Sequence, residues 1–176
     1  MAKKKAKKKK KAKKKEFPVA APAIIDEKSG AGNQDERILN ILGVDDEDDA
    51  EVNDENLKKY FRFLKENLEL PCIVIGVGEQ GCFRWEEYYT FGPGSDKEYE
   101  KLKKKYASSE DEYEILRIGS DHEEWDYDEE DGILVDVKRL SDNKKFTLTL
   151  ADLESVDEKS KNANMLDDHA FWFANF

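Results

Sequence analysis

Residues 121–131 read DHEEWDYDEED and place eight carboxylates in eleven positions, with no Lys or Arg among them. Like charges this close raise one another's pKa, and a bound divalent cation is a common remedy, because hard oxygen ligands suit calcium or magnesium. The candidate ligands are Asp121, Glu123, Asp126, Asp128, Glu130 and Asp131. The opposing reading is a solvated acidic run. Gly132 and the apolar Ile133, Leu134 and Val135 follow at once, so the run leads into a strand, a context that lifts it above mere solvated charge. A flexible multi-carboxylate loop favours calcium, the larger ion with the looser geometry.

The spacing is not that of an EF-hand. Placing Gly132 at the sixth loop position puts Tyr127 first and Lys138 twelfth, where that loop needs acids. The expectation is an irregular loop whose ligands are side-chain carboxylates, backbone carbonyls and water. His122 and His169 are the two histidines; neither has a Cys or Ser partner nearby in sequence, and both read as surface residues. Glu86 and Glu87 resemble a paired-carboxylate catalytic site only superficially, because along an alternating strand one of them must point outward. No phosphate loop, nucleophile elbow or dinucleotide fingerprint is present, and the chain reads as non-enzymatic.

The elements that must position the acidic run are legible around it. Ile133, Val135 and Val137 alternate with Leu134, Asp136 and Lys138; Ser141 to Lys144 makes a turn; Phe146, Leu148 and Leu150 then alternate with threonines. That is a hairpin. Tyr113 to Ile118 is a strand delivering the chain to Gly119 and the acidic run, and Cys72 to Val77 is a β-branched strand after Pro71. Phe83, Trp85, Tyr89 and Phe91 suggest one more long, half-buried strand, and Ser95 with Glu98 a capping box for a short Lys-rich helix. Helices are expected over Asp35–Gly43, after the Asn53 cap through Leu57, Tyr60, Phe61, Leu64 and Leu68, and over Asn164–Phe176. About five strands flanked by helices imply an α+β domain with a small antiparallel sheet or partly closed barrel.

The chain has 176 residues and a net charge of -11, but residues 1–15 carry eleven Lys and no acid, which leaves -22 on residues 16–176. The body favours metal ions or cationic partners, whereas the tail suits a polyanion such as RNA or DNA, an anionic surface, or the acidic body itself. The tail has no aromatic residue to stack on bases. Residues 1–34 read as a disordered Lys-rich tail and linker, and 35–176 as the acidic domain. Cys72 and Cys82 lack zinc spacing and read as reduced thiols of a cytoplasmic protein. No apolar run approaches the ~20 residues of a membrane span, and Phe17–Ile25, broken by Pro18 and Pro22, does not read as a secretion signal.

Three segments together, LKKYFRFLKENLELPCIV, GILVDVKRLSDNKKFTLTLADLESVD and DDHAFWFANF, resemble the layout of the CcbP-like, cyanobacterial-type calcium-binding protein family over about Leu57–Phe176. Lys144 or Lys145, Phe146, Leu148, Leu150, Leu153 and Glu154 occupy its K-x-F-x-L-x-L-x-x-L-E segment, and His169 and Trp172 sit in its acidic-aromatic terminus. The resemblance implies a small acidic protein that binds calcium without an EF-hand, as a buffer or sensor. This chain departs from that layout by its Lys tail, its aromatic-rich region Phe83 to Tyr113 and a longer linker after Cys72, so no family ligand is carried over. The alternative is a small protein-interaction module with a Lys-rich nucleic-acid-binding tail.

Overall fold

Alternation of apolar and polar residues builds the sheet, and a few buried polar side chains decide where it stops. The computed structural model describes residues 33–78, 81–119, 127–128 and 130–176. The expected tail lies outside the described residues up to position 32. Among the described residues the α-helices are α1 (Gln34–Leu42), α2 (Asp54–Asn67), α3 (Glu87–Thr90), α4 (Asp96–Lys103) and α5 (Lys161–Asn175). The strands are β1 (Cys72–Gly76), β2 (Glu112–Ile118), β3 (Tyr127–Asp128), β4 (Gly132–Arg139), β5 (Lys145–Thr149) and β6 (Leu153–Ser155).

All the strand pairings are antiparallel: β4 lies between β5 and β2, β1 between β2 and β6, and β3 pairs with the first residues of β4. The α+β class read from the sequence is the observed one. Of the two sheet forms expected, the open one holds, because among the described residues no pairing joins β5 to β6. The sheet is nevertheless curled. Thr149 and Leu153 are four residues apart and so at most ~15 Å apart, less than the ~19 Å that five strands laid flat would need.

Helices α2 and α5 lie on the inner face, and α1 packs on both. Ile133, Val135 and Val137 of β4 and Tyr113, Ile115 and Ile118 of β2 point into that core with Leu57, Tyr60, Leu64, Leu166 and Trp172. The outer face carries the ion pairs Arg117–Asp136 and Lys138–Glu114. Asn53 caps α2 through the amides of Glu55 and Asn56, and Gly43 closes α1 in the left-handed region at φ 67°. Helix α5 starts earlier than Asn164, because Ser160 accepts a bond from the Ala163 amide and supplies the cap.

Three expectations are overturned. The long strand over Phe83–Phe91 is instead a turn leading into the single helical turn α3. The cause is Glu86, which is fully buried and accepts hydrogen bonds from the Phe83 amide (3.0 Å), Tyr99 hydroxyl (2.9 Å), Ser108 hydroxyl (2.6 Å) and Ser109 amide (2.9 Å). Burial alone would raise its pKa, but the bonds from Ser108, Ser109 and Phe83 outweigh that and hold the carboxyl below its ordinary value. Four donors converging on one carboxylate curl the chain that periodicity alone would extend. Second, the Ser95 side chain makes no cap bond, so the expected capping box of α4 is absent.

Third, His169 is a core residue and not a surface one. It is fully buried between Tyr60, Trp172 and Phe173, with ring centroids at 5.2, 6.0 and 6.2 Å, and neither ring nitrogen has a partner among the described residues. Burial pushes its pKa down to about 3 from the ordinary 6.5. The unfolded chain therefore takes up a proton near pH 6.5 that the folded chain refuses, so this group's contribution is complete above that pH and is lost as pH falls towards 3. Between about pH 6.5 and about pH 5 the loss is about 2 kcal/mol. Urea unfolding at the two pH values should show that loss in the wild type and its near-absence in His169→Leu; equal pH dependence in both would contradict the assignment.

Candidate functional site

Eight carboxylates in eleven positions repel one another, and of this run the structure describes the C-terminal end. At its C-terminal end β3 pairs with β4 in the register Tyr127↔Ile133 and Asp128↔Gly132, so that β3 and the start of β4 make an antiparallel hairpin. The Tyr127 ring lies 5.4 Å from Phe61 of α2. Gly132 adopts φ +68°, and a Cβ there would stand 2.8 Å from the Phe173 ring of α5. Only glycine combines that backbone with that approach. Two aromatic contacts, at Tyr127 and at Gly132, thus seat β3 and the start of β4 on α2 and α5.

Among the six candidate ligands, Glu130 and Asp131 are exposed at the hairpin turn, and Asp128 lies in β3. Asp121, Glu123 and Asp126 lie outside the described residues, as does His122. Among the described residues no group of three or more His, Cys, Asp or Glu side chains is arranged to hold a metal ion. All six candidates carry carboxylate oxygen, the hard donor that suits calcium.

A second acidic segment, Asp45 to Glu51, is organised differently. Its residues 47–49 form a 3-10 turn whose entry is capped by the Asp46 side chain on the Asp48 amide. The Ala50 carbonyl accepts the buried Trp172 indole N–H at 2.7 Å, and the Asn56 side-chain amide donates to the carbonyls of Asp49 and Glu51, each at 2.9 Å. Asp35, Glu47, Asp48 and Glu51, with Phe171 and Phe176, line a cavity of about 400 Å³. Its carboxylates face solvent from several elements and do not converge on a point. Asp168 is occupied elsewhere, buried and bonded by Arg37 through Nε at 2.7 Å and Nη2 at 2.5 Å, which clamps α1 to α5.

Periodicity missed the aromatic end of the molecule. Trp85 donates its indole N–H to the Ala107 carbonyl at 2.7 Å, and its ring lies 5.7 Å from Tyr99 and 5.9 Å from Tyr106. Arg139, 3% exposed, donates to the carbonyls of Lys103, at the end of α4, and Tyr106, and to Asp111 and Asp142. The hydrogen bonds from Arg139 and Lys144 hold the Asp142 carboxyl well below the usual range, and those to Asp142 and Asp111 raise the Arg139 guanidinium further. Nothing in the sequence of Phe83–Phe91 distinguishes Glu86, which is buried, from Arg84 and Glu87, which are not. Both thiols are buried, and burial raises the pKa of Cys72 and of Cys82.

Two solved structures are similar to the chain over most of its length. One is the crystal structure of Anabaena CcbP, at 20% identity, covering 86% of this chain and 95% of that one with a TM-score of 0.48. The other is a calcium binding protein in its calcium-binding form, at 19% identity, covering 80% of this chain and 89% of that one with a TM-score of 0.49. No family model and no curated protein matches the chain.

The seating of the hairpin is directly testable. Gly132→Ala should cost about 1–2 kcal/mol from the left-handed backbone alone, plus the clash with Phe173. Adding Phe173→Ala should recover the clash but not the backbone cost, a non-additive pair in chemical denaturation. Additive effects would mean that Gly132 and Phe173 do not touch.

Proposed function

We propose that the chain is a non-enzymatic calcium-binding protein whose acidic hairpin before β4 supplies the ligands, serving as a buffer or sensor. The observation that carries the reading is the seating of that hairpin on the core, through Tyr127 on Phe61 and Gly132 against Phe173, at the end of a run of eight carboxylates. A solvated acidic tail has no need of such anchors. Calcium would neutralise the mutual repulsion of Asp121, Glu123, Asp126, Asp128, Glu130 and Asp131, which in its absence works against closing the loop. The ligand set is irregular and not that of an EF-hand, since Tyr127 and Lys138 stand where the EF-hand needs acids. No helix among the described residues is long and apolar enough to cross a membrane, and the proposed setting is the cytoplasm. The eleven lysines of residues 1–15 make a polyanion a second proposed partner.

Calorimetry and thermal unfolding test the reading together. Calcium at a hundredfold excess over its dissociation constant should raise stability by about 2.7 kcal/mol, and the shift should be absent with added monovalent salt of equal ionic strength. Changing Asp126, Asp128 and Asp131 together to Asn should weaken binding far more than the same change at Asp45, Asp46 and Asp48. Equal losses from both triples would reveal diffuse counter-ion attraction and overturn the site. Trp125 lies inside the run, so its emission should respond to calcium and not to sodium, and Trp125→Phe should remove that response while leaving the affinity.

A further inference from the structure

We propose that the end of the molecule built from α3, α4 and the β4–β5 turn is a binding face for single-stranded nucleic acid. The face is a row of aromatic rings. Tyr88, Tyr89, Tyr99, Trp85 and Tyr106 follow one another with centroid separations of 5.1, 5.9, 5.7 and 5.9 Å. The two ends of the row are its most accessible rings, Tyr88 at 55% and Tyr106 at 44% exposure, and Phe91, one helical turn on from Tyr88, is 62% exposed. Three large rings at such exposure, at α3 and just after α4, mark a surface suited to a partner.

The row is rigid and edged with lysine. Glu86, Trp85 and Tyr113 tie it to residues 107–109 from beneath, and Arg139 and Lys144 satisfy the carbonyls at the end of α4. That leaves Lys101, Lys104 and Lys105 pointing to solvent, with the Lys105 ammonium 4.9 Å from the Tyr106 ring centroid, while Lys103, 5.2 Å from the Tyr99 ring centroid, is paired with Glu110. Residues 81–112 and 138–145 hold ten Lys and Arg against nine Asp and Glu, although the body as a whole is strongly acidic. The acidic run itself lies elsewhere, although Glu98 neighbours Tyr89 and Glu110 pairs with Lys103 within this face. The acidic run is attached where β2 ends at Ile118, and the aromatic face where β2 begins at Glu112, ~20 Å apart along the strand.

Rings on which flat bases can stack, with ammonium groups beside them for phosphate, are the two parts that bind single strands without regard to sequence. An acidic protein segment would use the lysines but gain little from the rings, and a duplex hides its base faces. The Lys tail adds charge but has nothing to stack on a base, so the body must supply the stacking.

Fluorescence anisotropy of the full chain with a labelled oligouridine decides the matter, with inorganic polyphosphate as a base-free polyanion. Tyr88→Ala, Phe91→Ala and Tyr106→Ala combined should weaken oligouridine binding by about tenfold or more while leaving polyphosphate binding, carried by lysine alone, unchanged. Lys101→Gln, Lys104→Gln and Lys105→Gln combined should flatten the salt dependence of oligouridine binding. In the unmodified protein, oligouridine should quench tryptophan emission and polyphosphate should not, a readout that requires no variant. Oligouridine affinity unmoved by the aromatic changes, equal losses for both polyanions, or displacement of oligouridine by oligoglutamate as readily as by unlabelled oligouridine would each overturn the proposal. Calcium affinity belongs to the other end of the sheet and should be the same in all these variants.

Discussion

Trp172 is the side chain on which the arrangement turns. It is fully buried, stacks on Tyr60 at 4.7 Å and 13°, and donates its indole N–H to the Ala50 carbonyl. One residue therefore locks α5 to α2 and fastens the Asp45–Glu51 segment to both. The next residue, Phe173, meets Gly132 and so fixes the start of β4 and the acidic hairpin. Segments this rich in carboxylate repel themselves, and burial of large aromatic surface nearby helps to hold them in register. Both acidic segments are held by consecutive residues of one helix, so a change in the electrostatics of either is felt at α5.

The sheet separates two chemistries. At one end lie the acidic hairpin and the second acidic segment, anchored by Phe173 and Trp172; at the other lie the aromatic row and the lysines after α4, anchored by Glu86 and Arg139. Each anchor on the second side is a buried charge with all its partners supplied, which is what makes burial tolerable and why removing a single partner would be costly. A chain with a strongly acidic body thereby keeps one nearly neutral face, and the strand length between the ends limits how far the acid's field reaches in physiological salt, where screening acts within ~8 Å.

Local periodicity carried the sequence reading where the element is amphipathic and its partner lies next in the chain. The β4–β5 hairpin, the Asn53 cap and the Gly43 stop are of this kind, and each is where the residues put it. The reading failed where a polar residue finds partners far along the chain. Glu86 reaches Ser108 and Ser109, and no pattern in Phe83–Phe91 announces that. His169 was misplaced for a related reason: a histidine on a helix reads as polar, yet Tyr60 and Phe173 enclose it from two elements. For the candidate site, the carboxylate density and the strand after it were plain in the sequence, whereas the seating by Tyr127 and Gly132 required the fold.

The central claim is that a cation binds at one place, on the hairpin seated against α2 and α5. Amide chemical shifts recorded during a calcium titration at constant ionic strength test it most directly. The account predicts saturating shifts at Tyr127, Asp131, Gly132 and Ile133, passing through Phe173 into the end of α5, with Asp45 to Glu51 affected only through the Trp172 contact and to a smaller degree. Small, unsaturating shifts spread equally over every acidic segment would contradict it.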